Sequence, residues 1–246
     1  MINLIESCSF SYSKSFSKMN EDAMLPPKLI DGGVLFGVAD GVGSYAGADL
    51  ASMCATEHLS RLSCEQLLDF KSVFESILNQ VTELSKYNEL YEKASTTLTY
   101  CVVDSDGLHI GHIGDCRAYI KEGKKLKQLT KDHTQHQQLL DSNIVKKSQL
   151  KHIKGKNVIT TAISRVVEMK FDSVFIPNEK LSIDDKGYIH LYIMSDGAHD
   201  IWSRNPRFSE NTLSGPTKLG NSLLRRIERV GAIDDYTFVA CKLRIK

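Results

Sequence analysis

Acidic residues stand beside predicted strand ends at five places along this chain. Asp40 and Asp196 each follow an apolar run, and each is followed at once by a glycine, Gly41 or Gly197. A carboxylate beside open peptide groups suits a hard cation, and glycine lets the backbone approach it closely. One Asp-Gly pair after a strand usually marks only a turn. Five such places predict a single acidic cluster, formed by Glu21/Asp22, Asp40, Asp115, Asp196 and Asp234/Asp235.

The chemistry of such a cluster follows from its charge. Carboxylates a few ångströms apart raise one another's pKa, so they cannot all stay ionised without cations. Oxygen ligands without cysteine or histidine favour Mg²⁺ or Mn²⁺ over zinc or copper. Two such ions about 4 Å apart would generate a hydroxide between them and neutralise a phosphoryl group during in-line attack. The cluster therefore predicts two-metal phosphoryl chemistry.

Apolar, β-branched runs of strand length lie next to the acids and would position them. Strands are predicted over residues 2–13 (an edge strand), 34–38, 97–103, 108–113, 118–120, 126–129, 171–177, 188–194 and 236–241. Helical spacing predicts helices over 47–62, 65–91 and 218–230, with a short helix within 198–209. The polar stretch from about 135 to 156 interrupts the strands and is predicted to be a mobile lid.

The composition limits the class of protein. The 246 residues suffice for one large domain, and 41% hydrophobic with 25% charged residues is ordinary for a soluble protein. A net charge of +1 gives no bulk attraction to nucleic acid or acidic membranes. We expect no signal peptide and no membrane span, because no apolar stretch approaches about 20 residues. The six scattered cysteines lack zinc spacing and are expected to be reduced, in the cytoplasm.

Seven short motifs stand in an order that resembles one enzyme family. They are Asn20-Glu21-Asp22, Ala39-Asp40-Gly41-Val42-Gly43, Ser95-Thr96-Thr97-Leu98, Gly114-Asp115-Cys116-Arg117-Ala118-Tyr119, Leu129-Thr130-Lys131-Asp132-His133-Thr134, Ser195-Asp196-Gly197 and Asp234-Asp235-Tyr236-Thr237. In this order they resemble the metal-dependent type 2C protein serine/threonine phosphatases, and the compact length is similar to that of bacterial single-domain members. Each motif alone is weak evidence, but the resemblance covers essentially the whole chain.

The resemblance implies a fold and a set of ligands. The fold is α+β, a four-layer αββα sandwich in which two antiparallel β-sheets are flanked by helices on both outer faces, as one domain over 1–246. The region of about 135–156 corresponds to the family's variable flap, which helps to select substrates. The implied metal ligands are Glu21, Asp40, Gly41, Asp115, Asp196 and Asp234.

The resemblance also implies individual roles. Asp40 bridges both metals and, with Asp22, is assigned to catalysis, since Asp22 orients metal-bound water. The Gly41 carbonyl and Glu21 serve one metal. The cofactors implied are two Mn²⁺ or Mg²⁺ ions.

The remaining acids are assigned to the other ions. Asp196 and Asp234 are implied to hold the second metal. Asp115, together with Asp196, matches the third metal site of bacterial members, so a third ion is an open alternative.

The sequence departs from the family at the phosphate anchor. An arginine usually stands where this chain has Ser17, and a serine cannot supply the arginine's charged bidentate fork. In one interpretation a lysine, Lys18 or Lys14, substitutes as a point charge, with Lys18 as the substrate-binding candidate. In the other, the anchor is absent. Asp235 replaces a usual asparagine and adds negative charge beside the metals.

Two functions follow as hypotheses. The first is a monomeric Mn/Mg-dependent phosphatase, which hydrolyses phosphoserine or phosphothreonine on cytoplasmic substrates of a cognate Ser/Thr kinase. A metal-bridging water or hydroxide attacks, and no covalent intermediate forms. The second is a regulatory or binding module with the type 2C fold and weak or no catalysis, because Ser17 replaces the anchor. A carboxylate-metal nuclease is disfavoured by the neutral charge and the lack of a basic stripe.

Overall fold

Two antiparallel β-sheets packed face to face form the centre of the molecule. The computed structural model describes residues 2–43, 45–146, 148–150, 153, 155 and 158–245. The strands within these residues are β1 (Ile2–Tyr12), β2 (Asp22–Ile30), β3 (Gly33–Asp40), β4 (Ser95–Thr96), β5 (Leu98–Val103), β6 (Gly107–Ile113), β7 (Arg117–Glu122), β8 (Lys125–Gln128), β9 (Ile163–Ser164), β10 (Asp172–Pro177), β11 (Ile189–Met194) and β12 (Tyr236–Ile245). One sheet has the order β1-β12-β11-β7-β8 and the other β10-β6-β5-β3-β2, while β4 pairs with β9.

Helices cover both outer faces of this sandwich. They are α1 (Ala48–Arg61), α2 (Cys64–Leu68), α3 (Phe70–Glu83), α4 (Gln135–Asp141), α5 (Asp196–Arg204) and α6 (Pro216–Val230). Helices α1 to α3 pack on the sheet that contains β3, and α5 and α6 pack on the sheet that contains β12. The predicted αββα sandwich is confirmed.

Strand β3 shows why its sequence is apolar at nearly every position. Val34, Phe36 and Val38 face the opposite sheet, whereas Leu35 and Ala39 face the helices on the outside. Successive strand residues point to opposite faces, so a strand buried on both sides carries no polar alternation. This burial fixes β3 in the middle of the fold, and it thereby fixes the position of Asp40 at the end of the strand.

The predicted helix over 65–91 is wrong in its extent. Ser63 opens α2 with a capping box, and the Asp69 side chain then accepts the N–H of Ser72, so that α3 starts afresh. Helix α3 ends at Glu83, and 3₁₀ turns continue to Lys93. A side chain that caps a new helix start breaks the apolar spacing into two helices.

The other predicted elements lie close to their observed positions. Strand β1 is an edge strand, and the helices predicted over 47–62 and 218–230 correspond to α1 and α6. The predicted lid opens with α4, but several residues between 147 and 157 lie outside the described part of the chain. In that described part, no helix combines the length and apolar character needed to cross a bilayer.

Buried His112 makes the fold sensitive to acid. Its Nε2–H donates to the carbonyl of Lys131 at 2.9 Å, and its Nδ1 lies 2.8 Å from Oγ1 of Thr99. Burial and, after it, the charge of His133 lower the pKa of His112 from 6.5 to about 4. The unfolded chain therefore binds this proton at a higher pH than the folded protein does.

We predict that His112→Gln flattens the acid side of the stability profile. As pH falls from about 6.5 to about 4, His112 should cost the wild type on the order of 3 kcal/mol of unfolding free energy. Glutamine does not titrate, so urea unfolding at several pH values should show a shallower loss for the variant. Above pH 7 the two curves should run parallel, which serves as the internal control. Parallel curves down to pH 4 would contradict the prediction.

Candidate metal centre

The predicted ligands come together at one end of the sandwich. They line a cavity of about 480 Å³, into which both sheets contribute the ends of their strands. All six residues predicted to bind metal belong to its lining: Glu21, Asp40, Gly41, Asp115, Asp196 and Asp234. They are spread over more than 200 positions of sequence, so only the fold brings them together.

Asp40 is placed by hydrogen bonds that continue beyond the end of β3. Its N–H donates to Oγ1 of Thr97 at 3.2 Å, while its carbonyl accepts the N–H of Thr97 at 2.8 Å and the hydroxyl of Thr96 at 3.1 Å. In the β2–β3 ladder Asp40 lies opposite Asp22. The backbone of Asp40 is thus held on both sides.

Glu21 and Gly41 are joined through their backbones. The N–H of Gly41 donates to the carbonyl of Glu21 at 3.1 Å, and the hydroxyl of Ser52 on α1 donates to the same carbonyl at 2.6 Å. A β-carbon at Gly41 would lie 2.6 Å from the carbonyl oxygens of Glu21 and Ala48. The approach of these segments therefore requires glycine at position 41.

Asp22 lies behind the cavity and connects the two sheets. It is buried, and its Oδ2 accepts hydroxyl hydrogen bonds from Ser195 at 2.8 Å and from Thr237 at 2.7 Å. Ser195 and Thr237 belong to the opposite sheet and its connection, and they also bond each other through the N–H of Thr237 and Oγ of Ser195. Burial raises the pKa of Asp22 to about 7 although both hydroxyl hydrogen bonds oppose the rise.

Asp115 follows a tight turn at the end of β6. Gly114 has a φ of +103°, a conformation that L side chains rarely adopt. His133 donates its N–H to the carbonyl of Gly114 at 2.7 Å, and Nε2 of His199 donates to the carbonyl of Asp115 at 3.0 Å. The side chain of Asp115 is buried at the cavity wall.

Asp196 and Asp234 reach the cavity from neighbouring segments. Asp196 begins α5, directly after β11. A β-carbon at Gly197 would collide with the carbonyl oxygen of Asp235, so this glycine permits the two segments to touch. Asp234 is exposed at the mouth, where Nζ of Lys14 lies 3.9 Å from its Oδ1.

The electrostatics of the cavity favour bound cations. Burial, followed by repulsion from other carboxylates, raises the pKa values of Asp40 and Asp115 well above the ordinary range for aspartate. Burial and the charges of Asp235, Asp49 and Asp234 also raise the pKa of Glu21. A divalent cation among these groups would favour their ionised forms, so the all-oxygen lining fits Mg²⁺ or Mn²⁺.

The acids do not form a closed cage. Among the described residues, no three Asp, Glu, His or Cys side chains surround a single point as a finished metal site would. Magnesium commonly binds proteins through one or two carboxylates and keeps several waters. An open, acid-lined cavity is therefore compatible with such ions.

Two lysines stand where the phosphate anchor was in question. Lys14 and Lys18 both line the cavity, whereas Ser17 is exposed on the loop between them. The positive charge of Lys18 partly offsets the raised pKa of Glu21. Both lysines are therefore positioned to meet a phosphate in the cavity, and the charge of Lys18 also acts on Glu21.

Some contacts at the site had not been predicted. Thr97 lines the cavity and accepts the N–H of Asp40, and Ser195 and Thr237 hold Asp22. All three lie inside the motifs, but a hydroxyl in a motif carries no signal of its partner. Asp235 was interpreted as added charge, yet its carboxylate accepts two backbone N–H groups.

The fold and the acidic cavity together define an αββα sandwich with a carboxylate-lined centre at one end. The sequence model of a protein family described as protein phosphatase 2C matches residues 15–228 of the chain. The chain belongs to the protein phosphatase 2C family. The family assignment made from the motifs is confirmed.

Known proteins of this kind differ considerably from the chain in sequence. The serine/threonine phosphatase stp of Listeria welshimeri is 27% identical over 149 residues, which cover 57% of this chain and 59% of that protein. The chain thus matches less than two thirds of that relative's length. Stp1 from Staphylococcus aureus has a TM-score of 0.78 at 20% identity, over 97% of this chain and 95% of that one.

A second solved structure contains metal. The catalytic domain of the serine threonine protein phosphatase PstP, in complex with two manganese ions, has a TM-score of 0.73 at 20% identity. The match covers 99% of this chain and 100% of that chain. At these identities, both structural matches demonstrate a shared fold.

We predict that Gly43→Ala weakens Mn²⁺ binding while the fold stays intact. A β-carbon at Gly43 would collide with Oε2 of Glu21, the free end of a flexible side chain. The carboxylate should swing away, and isothermal titration calorimetry should show about tenfold weaker Mn²⁺ binding. Thermal unfolding of the metal-free protein should change little.

The control is a double variant. In a Glu21→Ala background, adding Gly43→Ala should change Mn²⁺ affinity no further, because the displaced group is already missing. An additional loss in that background would show that Gly43 acts by another route.

Proposed function

We propose that this protein is a metal-dependent phosphatase, which hydrolyses phosphoserine and phosphothreonine in other proteins. The observation that carries this proposal is the convergence of six oxygen-donor residues on one cavity with two lysines at its mouth. Such a cavity would hold cations among its carboxylates and attract a phosphate dianion through its lysines. Membership of the protein phosphatase 2C family and the name of the Listeria relative support the same activity.

The proposed cofactors are two Mn²⁺ or Mg²⁺ ions, with Asp115 available for a third. When bound, these ions supply positive charge that neutralises the phosphoryl oxygens and activates water. Glu21, Asp40 and Gly41 would hold one ion, and Asp196 and Asp234, together with Asp40, would hold the other. The two manganese ions of the PstP catalytic domain support the choice of metal.

The chain's own residues have three tasks in this reaction. The cavity acids hold charge in fixed positions, and Asp22, held by two hydroxyl groups, orients water from behind them. Lys18 attracts the phosphate at the mouth. Water attacks phosphorus, the bond between phosphorus and the serine or threonine oxygen breaks, and a proton from water passes to that oxygen, so that the substrate leaves with a free hydroxyl group. No covalent intermediate is required.

The substrates are proposed to be phosphoproteins of a cognate Ser/Thr kinase, and the protein is proposed to act as a cytoplasmic monomer. Its cysteines are free thiols in the structure, as a reducing compartment would keep them. The relatives' names support protein substrates, since they are serine/threonine phosphatases.

A binding module without strong catalysis is the second candidate. Ser17 favours it, because the loop offers no guanidinium fork to the phosphate. Binding of metal and phosphopeptide without turnover would support this candidate.

We predict that Asp40→Asn abolishes hydrolysis of an aryl phosphate and of a phosphothreonine peptide. The substitution removes the charge placed at the centre of the cavity, so kcat/KM in Mn²⁺ should fall by about a thousandfold or more. The wild type should require added Mn²⁺ or Mg²⁺. The measurement is phosphate release at saturating metal.

Asp185→Asn is the matched control, since Asp185 is exposed and is not part of this cavity's lining. It should retain wild-type activity. A wild type no faster than Asp40→Asn under several metals would overturn the phosphatase proposal.

We predict that Lys18→Ala raises KM for phosphopeptides more than Lys14→Ala does. Nζ of Lys14 lies 3.9 Å from Oδ1 of Asp234, whereas the charge of Lys18 has only a minor effect on Glu21, so we expect Lys18 to be more available to the phosphate. The loss of one charge contact should raise KM about tenfold. Ser17→Arg in the Lys18→Ala background should restore much of it. Equal effects of the two lysine variants would contradict a distinct role for Lys18.

A further inference from the structure

A single carboxylate holds both ends of the loop between β1 and β2. Oδ1 of Asp235 accepts the backbone N–H of Lys14 at 2.7 Å, and Oδ2 accepts the backbone N–H of Glu21 at 2.7 Å. We call residues 14–21 the clamped loop. Short bonds from N–H groups to an ionised acceptor are among the stronger hydrogen bonds in proteins, so Asp235 fixes the distance between the ends of this loop.

An uncharged amide at position 235 would keep only one of these bonds. Asparagine has one acceptor oxygen, and its NH₂ group donates. Facing two N–H groups, it would satisfy one and turn a donor toward the other. Both bonds therefore require the carboxylate, which accounts for a further negative charge directly beside Asp234.

The clamped loop carries two large, exposed apolar side chains, one of which lines the cavity. Phe16 is fully exposed, and Met19, which also lines the cavity, is 73% exposed. Lys14 and Lys18 line the same mouth. The loop thus combines positive charge directed to the cavity with apolar surface open to solvent.

A phosphorylated side chain that enters the cavity brings its own backbone to this loop. The phosphate meets the lysines and the cavity floor, and the flanking residues must cross the mouth. Apolar side chains there would gain by contact with Phe16 and Met19, because removal of apolar surface from water drives association.

Building on the function proposed above, we propose that the clamped loop is a specificity element. It selects phosphoserine or phosphothreonine segments that carry a large apolar side chain next to the phosphorylated residue. Asp235 is its positioning residue, acting through the backbone of Lys14 and Glu21. We expect this preference to appear in KM, because the loop would contact substrate residues that take no part in the reaction.

The first test compares two phosphothreonine peptides, identical except for leucine or serine on both sides of the phosphothreonine. The wild type should prefer the leucine peptide by about tenfold in kcat/KM, through KM. Phe16→Ser should remove most of this preference and leave hydrolysis of an aryl phosphate unchanged. Leu90→Ser is the control, because Leu90 is also exposed, at 72%, and is not part of the cavity's lining.

The second test uses Asp235→Asn. It should raise KM for the leucine peptide with little change in kcat, and trypsin should cleave the loosened loop faster at Lys14 or Lys18. Weaker Mn²⁺ binding without faster trypsin cleavage would assign Asp235 to the metal centre and overturn its positioning role.

The outcomes separate the two proposals. A wild type that hydrolyses neither peptide nor the aryl phosphate removes the proposed function. A wild type that hydrolyses both peptides equally well, or a Phe16→Ser variant that keeps the leucine preference, leaves the function standing and overturns the specificity role of the loop.

Discussion

The structure depends at one end on holding mutually repelling carboxylates close together. Burial and neighbouring acids raise the pKa values of Asp40 and Asp115, so their ionisation is unfavourable without cations. Other interactions in the fold must therefore supply the free energy that holds these carboxylates close together. It comes from the sandwich itself, because β3 and β11 are buried on both faces and their ends cannot move apart without opening the core.

Asp22 shows how the two sheets are joined at the same end. Its carboxylate lies on one sheet and accepts hydroxyl groups from Ser195 and Thr237, which belong to the other sheet and its connection. A buried acid with two fitted donors ties the sheets into one relative position. The cavity between the strand ends therefore inherits the rigidity of the core, as a site for small ions requires.

Most of the strands and helices could be predicted from local sequence patterns, because strand periodicity and Asp-Gly turns depend only on neighbouring residues. The convergence of Asp40 with Asp196 was also predictable, since both acids follow apolar strands, but the assignment of each acid to an ion needed the family's motif order. The predicted 65–91 helix is divided, and the capping box of Ser63 and Gln66 is a sequence signal for a helix start there. The continuous apolar spacing nevertheless favoured one long helix. The bonds of Asp235 to Lys14 and Glu21 cross more than 200 residues, and sequence spacing carries no information about such pairs.

The clamp also bears on the missing arginine. A guanidinium fork orients itself on a phosphate, whereas a lysine is a point charge on a flexible stem. A lysine places its charge more precisely where its backbone is fixed, and Asp235 accepts backbone N–H groups on either side of Lys18. The carboxylate adds repulsion, as the raised pKa of Glu21 records, but cations in the cavity would offset that repulsion. In the proposed function, Ser17 and Asp235 would thus be two parts of one arrangement, in which phosphate attraction depends on the position of the loop instead of on the shape of one side chain.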